Sequence, residues 1–345
     1  MSAIEGADAV SLLVAARGRE AEHGLWRFSL AGGRWQGRPL ARVAQLSSLA
    51  RHPHLPVVYG TASLHGEILA FRMDDAGAVA IGAAASGDDP CHVAVDPRGR
   101  LLVATNYGTG TVTLQALAAD GSFAGPPDFL VLEGQGPDPA RQEAAHPHQA
   151  VFDGNLLIIV DLGADRLRRY HVDPGKVGLA ALSPAEDLVT PPGSGPRHMV
   201  MLPGERIAVD GELSSTLIVG PARPPAAFES VASSSRPAPA RTRSPRNYPG
   251  DIARSADGDF VYLANRGHDT IALFDTREGG LARLDEVDAG VAWPQHLALL
   301  GDQLLIAGWD SDRVSALVLA RGLFAGAAET LFECPGPGWL LPWRG

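Results

Sequence analysis

The sequence predicts an all-β chain folded as a seven-bladed β-propeller, its ring closed by a C-terminal strand that completes the N-terminal blade. Three observations predict it. Gly (40) and Pro (27) take about a fifth of the 345 residues, which leaves few clean helical windows. Short apolar runs rich in Val, Ile, Leu and Thr are bounded by Gly, Asp and Asn, as strands are. These runs recur as a Pro, a strand, a turn, a second strand, a polar turn and a third strand, at the spacing of propeller blades.

Taken in order, residues 11–46 supply SLLVAAR, GLWRFSL and RPLARVAQL, which match second, third and fourth strands but lack a first. A degenerate copy starts at Pro53 (PHLPVVYGTASLHGEILAF). The clearest copy starts at Pro90 (PCHVAVDPRGRLLVATNYGTGTVTLQAL), and others follow at Pro147, Pro196, Pro249 and Pro294. DPRG, SADG and FDG read as hairpin turns. The tail PGPGWLLPW falls where an eighth first strand would begin, so it is expected to complete the first blade and remove the open edge. Residues 1–345 are thus expected to form one domain. The composition breaks once, in a Pro/Ser/Arg-rich loop at about 221–248, expected to hold a short outer strand near Phe228–Ala232 and solvated arginines (Arg223, Arg236, Arg241, Arg243, Arg246).

The net charge of −10 argues against a nucleic-acid partner. No apolar run of about 18 residues is present, so no membrane span is expected. The acidic start (Glu5, Asp8) lacks a basic region, so a cytoplasmic protein is expected, as a monomer or weak homodimer. Cys91 and Cys334 imply no disulfide framework. Lys176 is the single lysine, so positive charge comes almost wholly from arginine, whose planar fork suits carboxylate or phosphate.

In a propeller the start of each first strand and the end of each second strand surround one funnel mouth. After the repeat Pro stand His54, Cys91, His148, Arg197, Gly250 and Gln295, followed by Leu55, His92, Gln149, His198, Asp251 and His296. Second strands end at Asn106-Tyr107, Asp161-Leu162, Gly211-Glu212, Asn265-Arg266 and Gly308-Trp309. Asn106, Asp161 and Asn265 fit turns that bond nearby backbone. His92 and His296 recur at one position and could bond between blades. By contrast, His148, Arg197, Glu212 and Arg266 are charged or titratable departures at facing positions, and are the expected catalytic set. His92, Asn106, Tyr107, His198, His296 and Trp309 are the expected substrate-binding set. Two arginines at one mouth suit an anionic substrate or a developing oxyanion, and Glu212 near His148 supplies acid and base groups.

Competing motifs are weak. No GxSxG occurs, and the HPH segments at 52–54 and 146–148 are not helical zinc motifs. Oxygens of Asn106, Asp161, Glu212 and Asn265 offer a calcium alternative, but neither metal nor cofactor is expected.

The segments HPHQAVFDGNLLIIVDLGADRLRRY (146–170), GSGPRHMVMLPGERIAVDGELSST (193–216) and ANRGHDTIALF (264–274) resemble the seven-bladed propeller lactonases. That family includes propeller-type 6-phosphogluconolactonases and carboxy-muconate lactonizing enzymes. The resemblance implies a funnel site of one His, two Arg and a Glu, which fall on His148, Arg197, Glu212 and Arg266, without a metal. It implies hydrolysis of a small anionic lactone, 6-phosphogluconolactone first. A cycloisomerase using the same residues and a non-catalytic binding scaffold are the alternatives. The last repeat departs from the family, with Gly308-Trp309 where it usually carries a polar pair.

Overall fold

The computed structural model describes residues 10–18, 23–237, 239, 244–277 and 280–344. Its strands form seven antiparallel sheets. Numbered by innermost strand, the blades start with Leu46–Arg51 (I), Pro90–Val95 (II), Pro147–Asp153 (III), Pro196–Leu202 (IV), Tyr248–Arg254 (V), Pro294–Leu300 (VI) and Pro337–Trp343 (VII). Each pairs with a second strand: Val57–Ala62, Leu101–Asn106, Leu156–Asp161, Arg206–Gly211, Phe260–Arg266, Gln303–Gly308 and, in blade VII, Ser11–Ala16.

Blade VII joins the two ends of the chain. Its order runs from Pro337–Trp343 to Ser11–Ala16, then Gly24–Ala31 and Arg34–Arg42. The register sets Ser11 against Trp343 and Val14 against Leu340, and Ser11 Oγ donates to the Trp343 carbonyl at 3.0 Å. The expected closure is therefore present, and it removes two sheet edges at once.

The core is not central. Among the described residues it consists of seven apolar clusters, one at each junction between neighbouring blades. Leu101, Val103 and Leu114 of blade II meet Leu157 and Ile159 of blade III, for example. Burial of each such side chain stabilises by about 1.5–3 kcal/mol. Turn chemistry explains the hairpins: in DPRG, Asp96 accepts from the backbone N–H of Arg98, Arg100 and Leu101, while Gly99 takes a φ of 71°.

One expectation needs correction. The first strand of blade I does not begin at Pro53 but is Leu46–Arg51. Pro53, His54 and Leu55 lie in the turn leading to Val57–Ala62, at the rim opposite the mouth, where His54 Nε2 meets the Pro97 carbonyl at 3.1 Å. The run QLSSLA carries no Pro, so the repeat marker is missing there.

In the 221–248 region the outer strand is Glu229–Ala232. Arg223 pairs with Glu205 at the surface, at 2.8 Å. Arg246 instead donates to the Leu213 carbonyl and lies over the Tyr248 ring. Arg241 and Arg243 lie outside the described residues. Among the described residues no helix is long and apolar enough to cross a membrane.

Candidate active site at the funnel mouth

Every innermost strand is interrupted at the same place. Register shifts near the strand start leave Ser47, Cys91, His148, Arg197 (with His198), Gly250, Gln295 and Gly338 unpaired. A bulge re-aims its residue out of the ladder. Six of these seven, all but Gly250, line a cavity of about 370 Å³ at the mouth. The residues that end the second strands form a second ring, and Tyr107, Glu212, Arg266, Trp309 and Arg17 line the same cavity.

Glu212 is the electrostatic centre. Its Oε2 lies 2.6 Å from Arg266 Nη2 and 3.0 Å from Arg197 Nε, and its Oε1 accepts from Arg141 Nη2 at 2.7 Å. Burial by itself pushes this carboxyl up, but Arg266, Arg197 and Arg141 outweigh it and hold it down at about 2. Arg266 also donates to the carbonyls of Tyr248 (3.1 Å) and Pro249 (3.2 Å), and its guanidinium lies over Trp293. Burial first, then Arg197, lower its pKa to about 10, so it stays charged at neutral pH. Gly250 has a specific reason: a Cβ there would stand 2.6 Å from Cδ and Nε of Arg266. Arg197 donates to the Gly250 carbonyl.

His148 is buried beside this cluster, edge-on to Tyr107 at 5.8 Å and to His198 at 5.0 Å. Its Nδ1 has no hydrogen-bond partner among the described residues. Burial, then the Arg197 charge, drive its pKa well below the usual histidine value, so the ring is neutral. His146, the other His of HPH, stacks on Tyr107 at 4.5 Å and bonds its carbonyl at 2.8 Å, a buttress rather than a ligand.

The structure divides the expected substrate-binding set. Tyr107, His198 and Trp309 line the cavity. Asn106 does not: it is fully buried inside blade II, bonded to Ser86, Thr111 and Thr113. His92 and His296 sit beneath the cavity, where their Nδ1 atoms accept from the backbone N–H of Ala150 and Leu340 in the next blade, at 3.4 and 3.2 Å. Trp339 closes the channel at this level, 3.9 Å from His296 and 5.3 Å from His92 between ring centres. The oxygens considered for calcium are also dispersed: Asp161 binds Arg168 at 2.9 Å and Asn265 binds Thr270 at 3.1 Å, each within its own blade. Among the described residues no group of three His, Cys, Asp or Glu side chains is placed to hold a metal ion. Cys91 lines the cavity, but burial pushes its thiol up to about 12, which removes thiolate chemistry at neutral pH.

Arg141, Arg17, Trp293 and Trp339 were not expected at the site. Arg17 occupies the second-strand position in blade VII that Glu212 and Arg266 occupy in theirs, so extending the repeat register through the closing blade would have found it. The same register places Trp339 one residue past the bulge. Arg141 comes from the loop between blades II and III, outside the repeat. It bridges Tyr107 of blade II and Glu212 of blade IV, over the place where blade III offers only the buried Leu162.

The family described as "Lactonase, 7-bladed beta-propeller" matches residues 12–339. The chain belongs to this family. A 6-phosphogluconolactonase of Bacillus subtilis (strain 168) is 34% identical over 219 residues, 61% of this chain and 59% of that protein. The match thus spans about three fifths of that relative's length. A 6-phosphogluconolactonase of Formosa agariphila is 26% identical over 292 residues, 80% of each chain. Among solved structures, a putative 6-phosphogluconolactonase from Bacteroides fragilis superposes with a TM-score of 0.86 at 22% identity, over 99% of this chain and 100% of that one. The Pseudomonas aeruginosa periplasmic gluconolactonase PpgL gives 0.81 at 24%, over 97% and 99%. At these identities the structural likeness establishes the lactonase fold.

Proposed function

We propose that the funnel hydrolyses the ring ester of a small anionic lactone, with 6-phosphogluconolactone the leading candidate. One observation carries this: two buried guanidiniums, Arg197 and Arg266, are fixed on one carboxylate beside a neutral buried imidazole. Preorganised cations of this kind stabilise the charge that develops on a carbonyl oxygen.

In this scheme water attacks the lactone carbonyl and His148 takes its proton through Nε2. Arg197 and Arg266 face the oxyanion. The ring C–O bond then breaks, and the leaving alkoxide receives the proton from His148. Glu212 is engaged by three arginines and keeps the guanidiniums in place, whereas the neutral His148 imidazole makes no ion pair among the described residues that would hold it from the proton. The names carried by the relatives support the substrate class.

The test is acid release from 6-phosphogluconolactone near pH 6.5, then from other lactones, by the wild type, Arg197→Ala and Glu212→Gln. The expected result is turnover above background that Arg197→Ala lowers about 10²–10³-fold, the usual cost of one oxyanion donor. Equal rates for wild type, both folded variants and the blank would overturn the proposal. A product of unchanged mass would replace hydrolysis with ring isomerisation.

A further inference from the structure

Arg197 is held from three sides. Its Nε lies 3.0 Å from Glu212 Oε2, and Nη1 donates to the Gly250 carbonyl. The third contact is with the next residue in the strand: Nη1 is 3.2 Å from Nε2 and 3.4 Å from Nδ1 of His198. An atom nearly equidistant from both ring nitrogens cannot lie in the ring plane, where it would strike a ring carbon. It therefore sits over the imidazole face, as guanidiniums sit on aromatic faces. The ring is fixed from behind. Asp251 Oδ1 is 2.7 Å from His198 Nδ1, and a carboxylate only accepts, so the ring proton stands on Nδ1. Asp251 Oδ2 in turn accepts from the Leu297 N–H of blade VI at 2.7 Å. His92 and His296, at the same repeat position, use Nδ1 as the acceptor for backbone of the next blade. His198 is therefore the opposite tautomer, and its bond to a carboxylate makes the ring face more negative. Burial, then the Arg197 charge, lower its pKa well below the usual histidine value and keep the ring from becoming a repelling cation.

We infer that His198, held by Asp251, is a positioning residue: its ring face seats the Arg197 guanidinium in the orientation in which it meets the reacting carbonyl. Its place on the cavity wall thus serves Arg197 rather than the substrate. The contacts run through three blades, from Leu297 of VI to Asp251 of V to His198 and Arg197 of IV, so the ring of blades itself sets the guanidinium. The inference rests on the lactone reading for what Arg197 stabilises, but not for where Arg197 is held.

The experiment has a kinetic and a structural arm. Hydrolysis of 6-phosphogluconolactone is measured for wild type, His198→Asn, Arg197→Ala and the double variant, with urea unfolding as a folding check. His198→Asn keeps a donor for Asp251 but has no ring face, so a merely structural role would survive it. It is expected to lower kcat about 10- to 100-fold, the cost of misplacing one catalytic group, and to leave KM nearly unchanged, because the oxyanion exists only in the transition state. Added to Arg197→Ala, it should cost nothing further, since its effect passes through that residue. An unchanged kcat in folded His198→Asn, or losses that multiply in the double variant, overturn the inference. Should His198→Asn not fold, Asp251→Asn carries the same cycle. The second arm is the crystal structures of wild type and variant, in which the guanidinium is expected to leave the Gly250 carbonyl. An unmoved Arg197 overturns the inference even if lactones are hydrolysed. A displaced one sustains it even if the wild type turns over no lactone, and the hydrolase proposal then fails alone.

Discussion

Two rings of side chains stand one residue apart on the same seven strands and serve different ends. The bulged ring, with His148, Arg197 and Gln295, opens into the funnel. The next ring is Ser48, His92, Gln149, His198, Asp251, His296 and Trp339. Five of these accept from the backbone of the following blade: Ser48 from Val93, His92 from Ala150, Gln149 from Met199, Asp251 from Leu297 and His296 from Leu340. At the sixth junction His198 bonds the Asp251 side chain at 2.7 Å. Histidine appears in both rings, so residue type alone does not tell chemistry from architecture. The bulge does at most blades: it turns one residue to the cavity and leaves its neighbour to lock blade to blade, while His198 and Trp339 of the second ring also reach the cavity.

A paired substitution breaks this comparison most directly. His148→Ala should lower lactone turnover about 10²- to 10⁴-fold, the usual worth of a general base. Its unfolding midpoint in urea should stay near that of the wild type. His92→Ala should do the reverse, leaving turnover nearly unchanged and removing about 1–3 kcal/mol of stability, because the Ala150 N–H loses its buried acceptor. Similar activity losses in both variants would end the division. The wild-type rate should also show no acid limb near the usual histidine pKa, since His148 is held neutral well below it.

Next in size is Glu212→Ala. It leaves Arg197 and Arg266 buried without their carboxylate, which costs about 3–5 kcal/mol. Urea unfolding should show this loss, together with loss of activity. Glu212→Gln keeps acceptor oxygen but not charge, and should fall between. A fully stable Glu212→Ala would mean that the arginines find other partners.

Smaller still is Gln149→Leu, which removes the acceptor for Met199 N–H (2.7 Å) at one junction. A loss of about 1–3 kcal/mol is expected with turnover intact. It sharpens the comparison because Gln149 adjoins His148, so a catalytic effect here would show that the two rings are coupled.

These contrasts also explain what the sequence discloses. The blade count, the closing strand and His148, Arg197, Glu212 and Arg266 follow from a repeat whose Pro, turn and strand positions are fixed by sterics. The blade I start is obscured because Leu46–Arg51 lacks the Pro and the nearby HPH segment imitates it. Arg141 is hidden because loop residues obey no period, and its role depends on reaching Glu212 through space. His92 and His296 read as mouth residues because linear position cannot show which side of a bulge a side chain takes, and Asn106 because it cannot show that the last paired residue of a second strand turns into its own blade.

The last contrast is electrostatic and lies in blade IV. Asp210 is fully buried under the mouth, its Oδ1 accepting from His198 N–H at 2.6 Å. Burial pushes its carboxyl up to about 7, with Arg197 pulling the other way. The folded chain therefore binds this proton more tightly than the unfolded chain. The associated stability is full below about 3.8 and is lost as pH rises through about 7. His92 and His296 run opposite. Burial lowers them to about 3 and about 4, so the unfolded chain takes protons first and stability is lost as pH falls below about 6.5. Asp210→Asn removes only the first trend and keeps an oxygen for the His198 N–H. Its stability relative to wild type should therefore rise by about 2–3 kcal/mol from pH 5 to pH 7.5, measured by urea midpoints. A difference that does not change with pH would show that Asp210 titrates alike in the folded and unfolded chain, the Arg197 charge above it then offsetting its burial.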